Sequence, residues 1–425
     1  MNWQKVKKDL LLAFSSHFLY KVVGYFILMI LTRYVAKGEL GEFFFAATLA
    51  NSFVLFTELG INTQLIREVA EKPETAVNYF SEVISLRIPL FALYFIVLNL
   101  FTFIFKPELI TIVLLTSIYT LLEEFYYSFG SLFLGLKRLV YNVITGVSTK
   151  VLLFGLIFVV VSTNASLIRI LACYILANML MVSIASVIFW RKIGRPRLLW
   201  NMDSSRKILK TSFPFFALTV FGLLNSSINT LFLGFMQTYA AVATFQVAFK
   251  LLEASRFLIR PISMIFFPVF SEMGSKLNWQ EIHRIYRKML LFAGAIGSAI
   301  TFIVLISAAF IIPILFGPKY DDSILIVQIL FLLVPLRYMG TISGFLANSI
   351  HLEKKVVSIT IKCLIIGIII SIVIIPLWGT VGAAIATVIS GSIRAIWIMV
   401  LNFRELRSKR STESFNILGK EWDHA

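Results

Sequence analysis

The sequence predicts an all-α polytopic membrane protein with about twelve transmembrane helices in two pseudosymmetric six-helix bundles. Three observations predict it. Hydrophobic residues make up 59% of the 425 and charged residues only 14%, with 40 phenylalanines and a mean hydropathy of +0.88, well beyond the roughly 45–50% apolar share of a soluble domain. The apolar residues fall in unalternated runs of about 20, the length needed at 1.5 Å per residue to cross roughly 30 Å of hydrocarbon. Lys and Arg gather on alternate connectors, as retention of positive charge in the cytoplasm requires. Lipid can cover such a surface only if backbone hydrogen bonds close within each segment or around a barrel, and runs without period-two alternation select helices.

Twelve stretches meet the length requirement. The first six run Leu10 to Tyr34, Leu40 to Ile61, Phe80 to Phe105, Leu109 to Leu136, Val143 to Val161 and Leu167 to Trp190. After a polar, basic bridge come Ile208 to Phe232, Tyr239 to Phe270, Met289 to Ile311, Ile324 to Leu346, Val356 to Ile375 and Val381 to Leu401. The first stretch has no small-residue cleavage pattern and reads as a span, not a removable signal. Residues 1–190 therefore form an N-terminal six-helix lobe, 191–207 a cytoplasmic basic linker, 208–403 a C-terminal six-helix lobe and 404–425 a cytoplasmic polar tail. Two six-span blocks of like connector pattern indicate a parallel repeat. The connectors are too short to hold a soluble catalytic domain.

With the N-terminus inside, cytoplasmic segments carry 25 Lys and Arg and external segments only Arg33, Lys37, Lys106 and Lys319. The bias supports an even span count, a multi-pass location in the cell membrane and two cytoplasmic termini. It also accounts for much of the formal net charge of +17 without nucleic acid.

The other ten basic residues lie inside predicted spans: Lys21, Arg87, Lys150 and Arg169, then Lys250, Arg256, Arg260, Arg337, Lys362 and Arg394. Acidic partners are fewer, namely Glu82, Glu123 and Glu124 in the first half and Glu253 in the second. A charge at the centre of a span costs about 2.5–3.5 kcal/mol on insertion scales, so such residues should face protein or a hydrated cavity. Surplus positive charge there points to an anion. In the eighth span Lys250, Glu253, Arg256 and Arg260 fall within roughly a 120° arc of one helix face. One carboxylate cannot neutralise three cations, which favours a cavity-lining stripe; the packing alternative pairs Glu253 with Lys250 or Arg256 and lets Arg260 reach the interface. In the first lobe Lys21, Glu123, Glu124 and Lys150 are expected to form a polar interior, through either Lys–Glu bridging or contact with substrate or ion. Arg87 and Arg169 lie near span ends and are expected to snorkel. Pro89 stands alone in the first six spans, whereas Pro214, Pro261, Pro268, Pro335 and Pro376 lie in or beside the last six and are candidate kinks. The small residues Gly379, Gly382, Ala383 and Ala384 open the last span for close packing.

Several segments carry a resemblance. They are LTRYVAKGELGEFFFAATLANSFVLFTELGINTQLIREVA from Leu31 to Ala70, NTLFLGF from Asn229, TFQVAFKLLEASRFL from Thr244, FFPVFSEM from Phe266, LFGPKYDDSILIVQIL from Leu315 and PLWGTVGAAIATVIS from Pro376. In this order they resemble the polysaccharide exporters and lipid-linked oligosaccharide flippases of the multidrug/oligosaccharidyl-lipid/polysaccharide superfamily. The resemblance implies two six-helix bundles around a V-shaped cavity, alternating access, and flipping or export of an anionic lipid-linked glycan. It implies coupling to an ion gradient, with H+ or Na+ as candidates and no cofactor. Lys21, Lys150, Lys250, Arg256, Arg260 and Arg337 are then the expected substrate-binding residues, and Glu123, Glu124 and Glu253 the coupling or charge-compensating ones. Membrane lipids and polysaccharide-assembly proteins are the other expected partners. Two departures stand out: many such flippases have fourteen spans, and an acidic residue common near the end of the seventh span is Asn229 here.

A multidrug-type secondary exporter of the same superfamily is the nearest alternative reading, although cationic drugs fit an interior of net positive charge poorly. A membrane-embedded glycan-processing enzyme is the alternative from another class. Against it, His17, His283, His351 and His424 form no metal spacing, Cys173 and Cys363 form no motif, and no phosphate-binding GxxxxGK[ST] loop occurs.

Overall fold

The computed structural model describes residues 3–163, 166–275 and 279–422, without the side chains of 3–17, most of 214–226 and of 260–268, Ser275 and 410–422. The side chains of His17, Pro214, Arg260, Pro261, Pro268 and His424 therefore lie outside the described residues. The chain divides into two compact units, Met1–Ser227 and Ile228–Ala425.

In the first unit the order is α1 (Trp3–Tyr34), α2 (Lys37–Glu58), α3 (Ile61–Glu71), α4 (Ala76–Phe105), α5 (Ile110–Gly135), α6 (Leu139–Thr163) and α7 (Leu167–Lys192). The start of α8 (Met202–Met236) completes it. Helix α5 is the hub, packed on α2, α3, α4 and α7, while α6 packs on α1 and α7. The second unit continues with α9 (Tyr239–Ala254), α10 (Arg256–Ser275), α11 (Trp279–Phe316), α12 (Ser323–Phe331), α13 (Val334–Ser349) and α14 (Glu353–Trp422). Here α12 and α13 take the hub position, contacting α9, α10, α11 and α14 between them. The fourth hydrophobic stretch of each block thus holds the centre of its unit, and this recurrence of pairing is the internal pseudosymmetry.

Polarity runs outside-in, as a lipid-covered protein requires. Helix α4 turns Leu93, Ile96, Leu100, Phe103 and Ile104 outward at 56–65% exposure, whereas Arg87 on the same helix is fully buried. Among the described residues seven helices are long and apolar enough to cross a membrane, and the α12–α13 pair, bent by 44°, makes an eighth if counted as one broken span.

The last of the seven is two helices. Within α14 Gly379 adopts φ 52°, ψ −126°, and the arms on either side pack on each other. Lys355 pairs with Glu405, the Lys362 ammonium lies 5.6 Å from the Trp397 ring centre, and Gly367 faces Ser390. Those pairs share one centre near residue 379, the register of an antiparallel hairpin. The Gln237 amide donates to the Ile375 carbonyl at 3.3 Å, satisfying an acceptor just before the turn.

Two other expected spans are broken, and in each case tertiary donors take up the carbonyls that the break releases. The eighth stretch is not one helix: α9 ends at Ala254 and α10 starts at Arg256. The Ser255 hydroxyl donates back to the Leu252 carbonyl at 2.7 Å, a local bond that bends helices. From α13, Tyr338 donates to the Ser255 carbonyl at 2.5 Å and Arg337 to the Leu252 carbonyl at 3.3 Å. The stripe expected on one continuous helix face is accordingly divided, with Lys250 and Glu253 on α9 and Arg256 and Arg260 on α10. In the α12–α13 pair, Pro335 has no N–H to offer the Phe331 carbonyl four residues back, and the Thr301 hydroxyl supplies that bond at 2.8 Å.

Candidate functional site

Among the described membrane-embedded residues, a constellation that includes charged side chains lies in each unit. The first is built on the run Glu123-Glu124-Phe125-Tyr126-Tyr127 of α5. Residues four apart share a helix face, and the Tyr127 hydroxyl donates to Glu123 Oε1 at 3.2 Å. That face opens on a cavity of about 550 Å³ whose polar lining includes Tyr20, Lys21, Asn62, Glu123, Tyr126, Tyr127 and Asn142. The Lys150 ammonium from α6 sits 4.6 Å from the Tyr20 ring centre. Lys21, Glu123 and Lys150 are therefore brought together, with α1, α5 and α6 each supplying one. Tyrosine faces favour cations and their hydroxyls complement polar groups, so the chamber can accept an amphipathic guest of mixed polarity.

Glu124, one residue and about 100° further round α5, belongs to a different environment. Its Oε1 accepts from Arg87 Nη1 at 2.7 Å and from Asn62 Nδ2 at 3.0 Å, while Arg87 Nη2 donates to Asn62 Oδ1 at 2.9 Å. The Arg87 side chain has no exposed surface and that of Glu124 only 8%. The expected snorkelling of Arg87 is overturned: the side chain turns inward because a carboxylate and an amide there satisfy it better than the interface would. Arg169, in the first turn of α7, is exposed. Asn62 reaches this pair because Leu59 and Gly60 both take left-handed φ, 43° and 77°, turning the chain sharply between α2 and α3. The sequence assigns no helix to the residues between the stretches that end at Ile61 and begin at Phe80, so α3 and the role of Asn62 emerge only from the structure.

In the second unit Glu253 holds two arginines at once. Oε1 pairs with Arg337 Nη2, and Oε2 pairs with Arg256 Nη1 at 2.9 Å. Arg394 from α14 lies within electrostatic reach of both arginines. One carboxylate thus serves two guanidinium groups, with a third positive charge near them. Arg337 is nearly buried, with 12% of its side chain exposed, and is also tied to the Leu252 carbonyl, whereas half of the Arg256 side chain is open. A rigid planar fork presented from an anchored, cation-rich cluster is suited to bidentate contact with phosphate or carboxylate. Lys250 is exposed on α9, one turn before Glu253. In the sequence Arg394 stands out as an in-span cation but nothing joins it to this site, and the only signal for Tyr338 is its position beside Arg337.

Asn229 is buried in the second unit. Its amide donates to Thr387 Oγ1 at 2.7 Å and the Ala383 carbonyl at 3.4 Å, and its carbonyl accepts from Ser371 Oγ at 2.6 Å. A neutral network therefore ties α8 to both arms of α14.

Comparison with known proteins identifies the lineage. The family described as polysaccharide biosynthesis protein matches residues 6–274, more than half of the chain. The chain belongs to this family. A protein from Escherichia coli K12, named provisionally as an O-antigen transporter, is 25% identical over 366 residues, covering 84% of this chain and 86% of that one. Among solved structures, the lipid II flippase MurJ in an inward closed conformation superposes with a TM-score of 0.70 at 16% identity, covering 92% of this chain and 89% of that chain. An inward-facing multidrug resistance transporter of the MATE family, in the MOP superfamily, gives 0.73 at 15% identity, covering 93% and 95%. This member of the polysaccharide biosynthesis family is accordingly a polytopic membrane protein with the fold of MOP-superfamily transporters and flippases, not that of a catalytic enzyme.

Proposed function

We propose that the protein is an alternating-access exporter or flippase that carries an anionic lipid-linked oligosaccharide or polysaccharide precursor across the cytoplasmic membrane. The observation that carries this reading is the second-unit cluster, in which Arg256 and Arg337 share the single carboxylate of Glu253 and Arg394 adds a third positive charge within reach of both arginines. Unbalanced guanidinium charge inside a lipid-covered unit is costly unless an anion completes it, and membership of the polysaccharide biosynthesis family favours a glycan carrier as that anion. In this reading Arg256 and Arg337, with Lys250 on α9 and Arg260 on α10, receive the headgroup. Lys21 and Lys150 contact substrate in the first lobe, while Glu123 serves coupling to H+ or Na+ and Glu253 compensates charge.

The proposed topology has twelve spans, formed by α1, α2, α4, α5, α6, α7, α8, α9 with α10, α11, α12 with α13, and the two arms of α14. Both termini and the 191–207 linker lie in the cytoplasm. A 1–190 lobe and a 208–403 lobe follow from that count, with 404–425 as a cytoplasmic tail.

A second reading, a multidrug-type secondary exporter, draws on the MATE superposition and on the first-unit cavity, where Glu123 sits among three tyrosines in a manner suited to a cationic amphipath. The two readings separate in liposomes containing the purified protein. Translocation of a lipid-diphosphate sugar with no gradient-driven efflux of a cationic dye supports the first, and the reverse result replaces it with the second.

A further inference from the structure

The segment between α7 and α8 is a connector by sequence, yet it is fastened along α4. The Arg197 N–H donates to Ser81 Oγ at 3.1 Å and the Leu199 N–H to Ser85 Oγ at 2.9 Å. Alternate residues of an extended chain are about 6.6 Å apart, close to the roughly 6 Å between helix positions i and i+4, so successive donors of the strap meet successive turns of α4. One turn earlier, Gly194 lies so close to Val77 that an added Cβ would stand 2.7 Å from a methyl group. At the near end Arg138 donates to the Lys192 carbonyl at 3.0 Å.

Under this strap is a slot of about 190 Å³, walled by Ile84, Phe125, Phe129, Ser186 and Phe189, with Arg197 and Leu198 on the strap side. Arg191, Lys192, Arg195 and Arg197 are exposed on and beside the strap, Arg197 at the slot itself, and no acidic residue occurs from 191 to 202. The Arg195 guanidinium covers the Trp190 ring at 5.5 Å. Trp190, Leu198 and Trp200 are 55–66% exposed. General retention of positive charge beside a span would need the arginines alone. It would not need a backbone pinned at three turns, nor an apolar slot lined in part by Arg197.

We propose that the strap 190–202 and the slot beneath it bind one anionic phospholipid of the leaflet they face, its phosphate on Arg195 and Arg197 and part of an acyl chain among Phe125, Phe129 and Phe189. Charge complementarity selects the headgroup: paired guanidinium forks favour a phosphate whose charge is not cancelled by a choline, and the surface potential of an anionic leaflet adds to the attraction. The tryptophans take the interfacial depth that their amphipathic rings prefer. Because the strap connects α7 to α8, an occupied site ties that connection to the composition of the membrane.

The test uses the full-length protein, delipidated in detergent and titrated with phosphatidylglycerol or phosphatidylcholine of identical chains, with bound lipid read by native mass spectrometry. The wild type is expected to retain phosphatidylglycerol several-fold better. R195Q/R197Q should remove that preference, Ser186→Leu, which fills the slot, should lower retention of both lipids, and R284Q/R287Q, at exposed arginines of α11, should change neither. Size-exclusion profiles and melting temperatures check that each variant is folded. If Ser186→Leu fails that check, the arginine pair still decides. Equal retention of the two lipids by the wild type overturns the site. So does a preference that survives R195Q/R197Q, or one that R284Q/R287Q erases to the same extent.

Discussion

At the scale of single residues, adjacent glutamates on α5 have different tasks because one helical step of about 100° carries them into different surroundings. Glu124 completes a buried pair with Arg87. Removing one member of such a pair strands the other charge, at a cost of about 3–5 kcal/mol, so Glu124→Ala should lower the melting temperature and the expression of the protein sharply, as a thermal scan in detergent would read. Glu123 faces the cavity with Tyr127 as its donor. Glu123→Gln should therefore leave expression near normal while reducing gradient-driven transport; unchanged coupling would leave Glu123 with a packing role alone. In the second unit Arg256→Lys keeps the charge but loses the planar fork, and loss of a charge-assisted hydrogen bond of about 1.5–3 kcal/mol corresponds to headgroup binding weaker by roughly ten- to a hundredfold. Glu253→Gln should act the other way on affinity, releasing both arginines for the ligand and slowing its departure. Lipid-diphosphate binding and flipping by the purified variants in liposomes measure both effects, and wild-type values for Arg256→Ala would remove the proposed headgroup site.

At the scale of elements, each break in the second unit has a partner that makes it affordable to the backbone. Tyr338, fully buried, donates to the carbonyl of Ser255, where α9 gives way to α10. Tyr338→Phe deletes that donor with little change of shape and should cost about 0.5–1.5 kcal/mol, with a larger effect on ligand affinity than on stability, since it loosens the junction that carries Glu253 and Arg256. A thermal melt alongside a binding isotherm separates the two. At the tip of the α14 hairpin, Gly379 holds a backbone conformation that L side chains rarely adopt. Gly379→Ala should destabilise by roughly 1–3 kcal/mol, visible as a lower melting temperature.

At the scale of the whole molecule, the distribution of Lys and Arg leads to a prediction about sidedness. In a cysteine-depleted background, single cysteines at Ser205 and Asp321 should react with an impermeant maleimide from opposite faces of sealed, oriented vesicles. Reaction from the same face would overturn the twelve-span topology. Such a test reaches what helix length alone does not, because a hairpin such as α14 and a broken pair such as α12 and α13 each count differently by composition than by path.

The all-α membrane class and the approximate positions of most helices were legible in the sequence, because hydrocarbon imposes length and hydropathy on a span independently of its neighbours. The gap between the stretches that end at Ile375 and begin at Val381 is legible for the same reason, but Gly379, expected to ease packing of the last span, proves to be the residue that makes the turn. In-span charges could be located too, since each is conspicuous against an apolar background, and Lys21, Glu123, Lys150, Glu253, Arg256 and Arg337 were all picked out that way. Their partners could not be. Sequence spacing relates residues on one helix, whereas the bonds of Arg87 to Glu124, Arg337 to Glu253 and Tyr338 to Ser255 cross between helices or helix fragments. The break after Ala254 was hidden for a related reason: its cause includes donors 83 residues away along the chain. Which of two adjacent glutamates meets a buried arginine, which arginine stays open, and which helix bends are consequences of packing, and only the tertiary structure decided them.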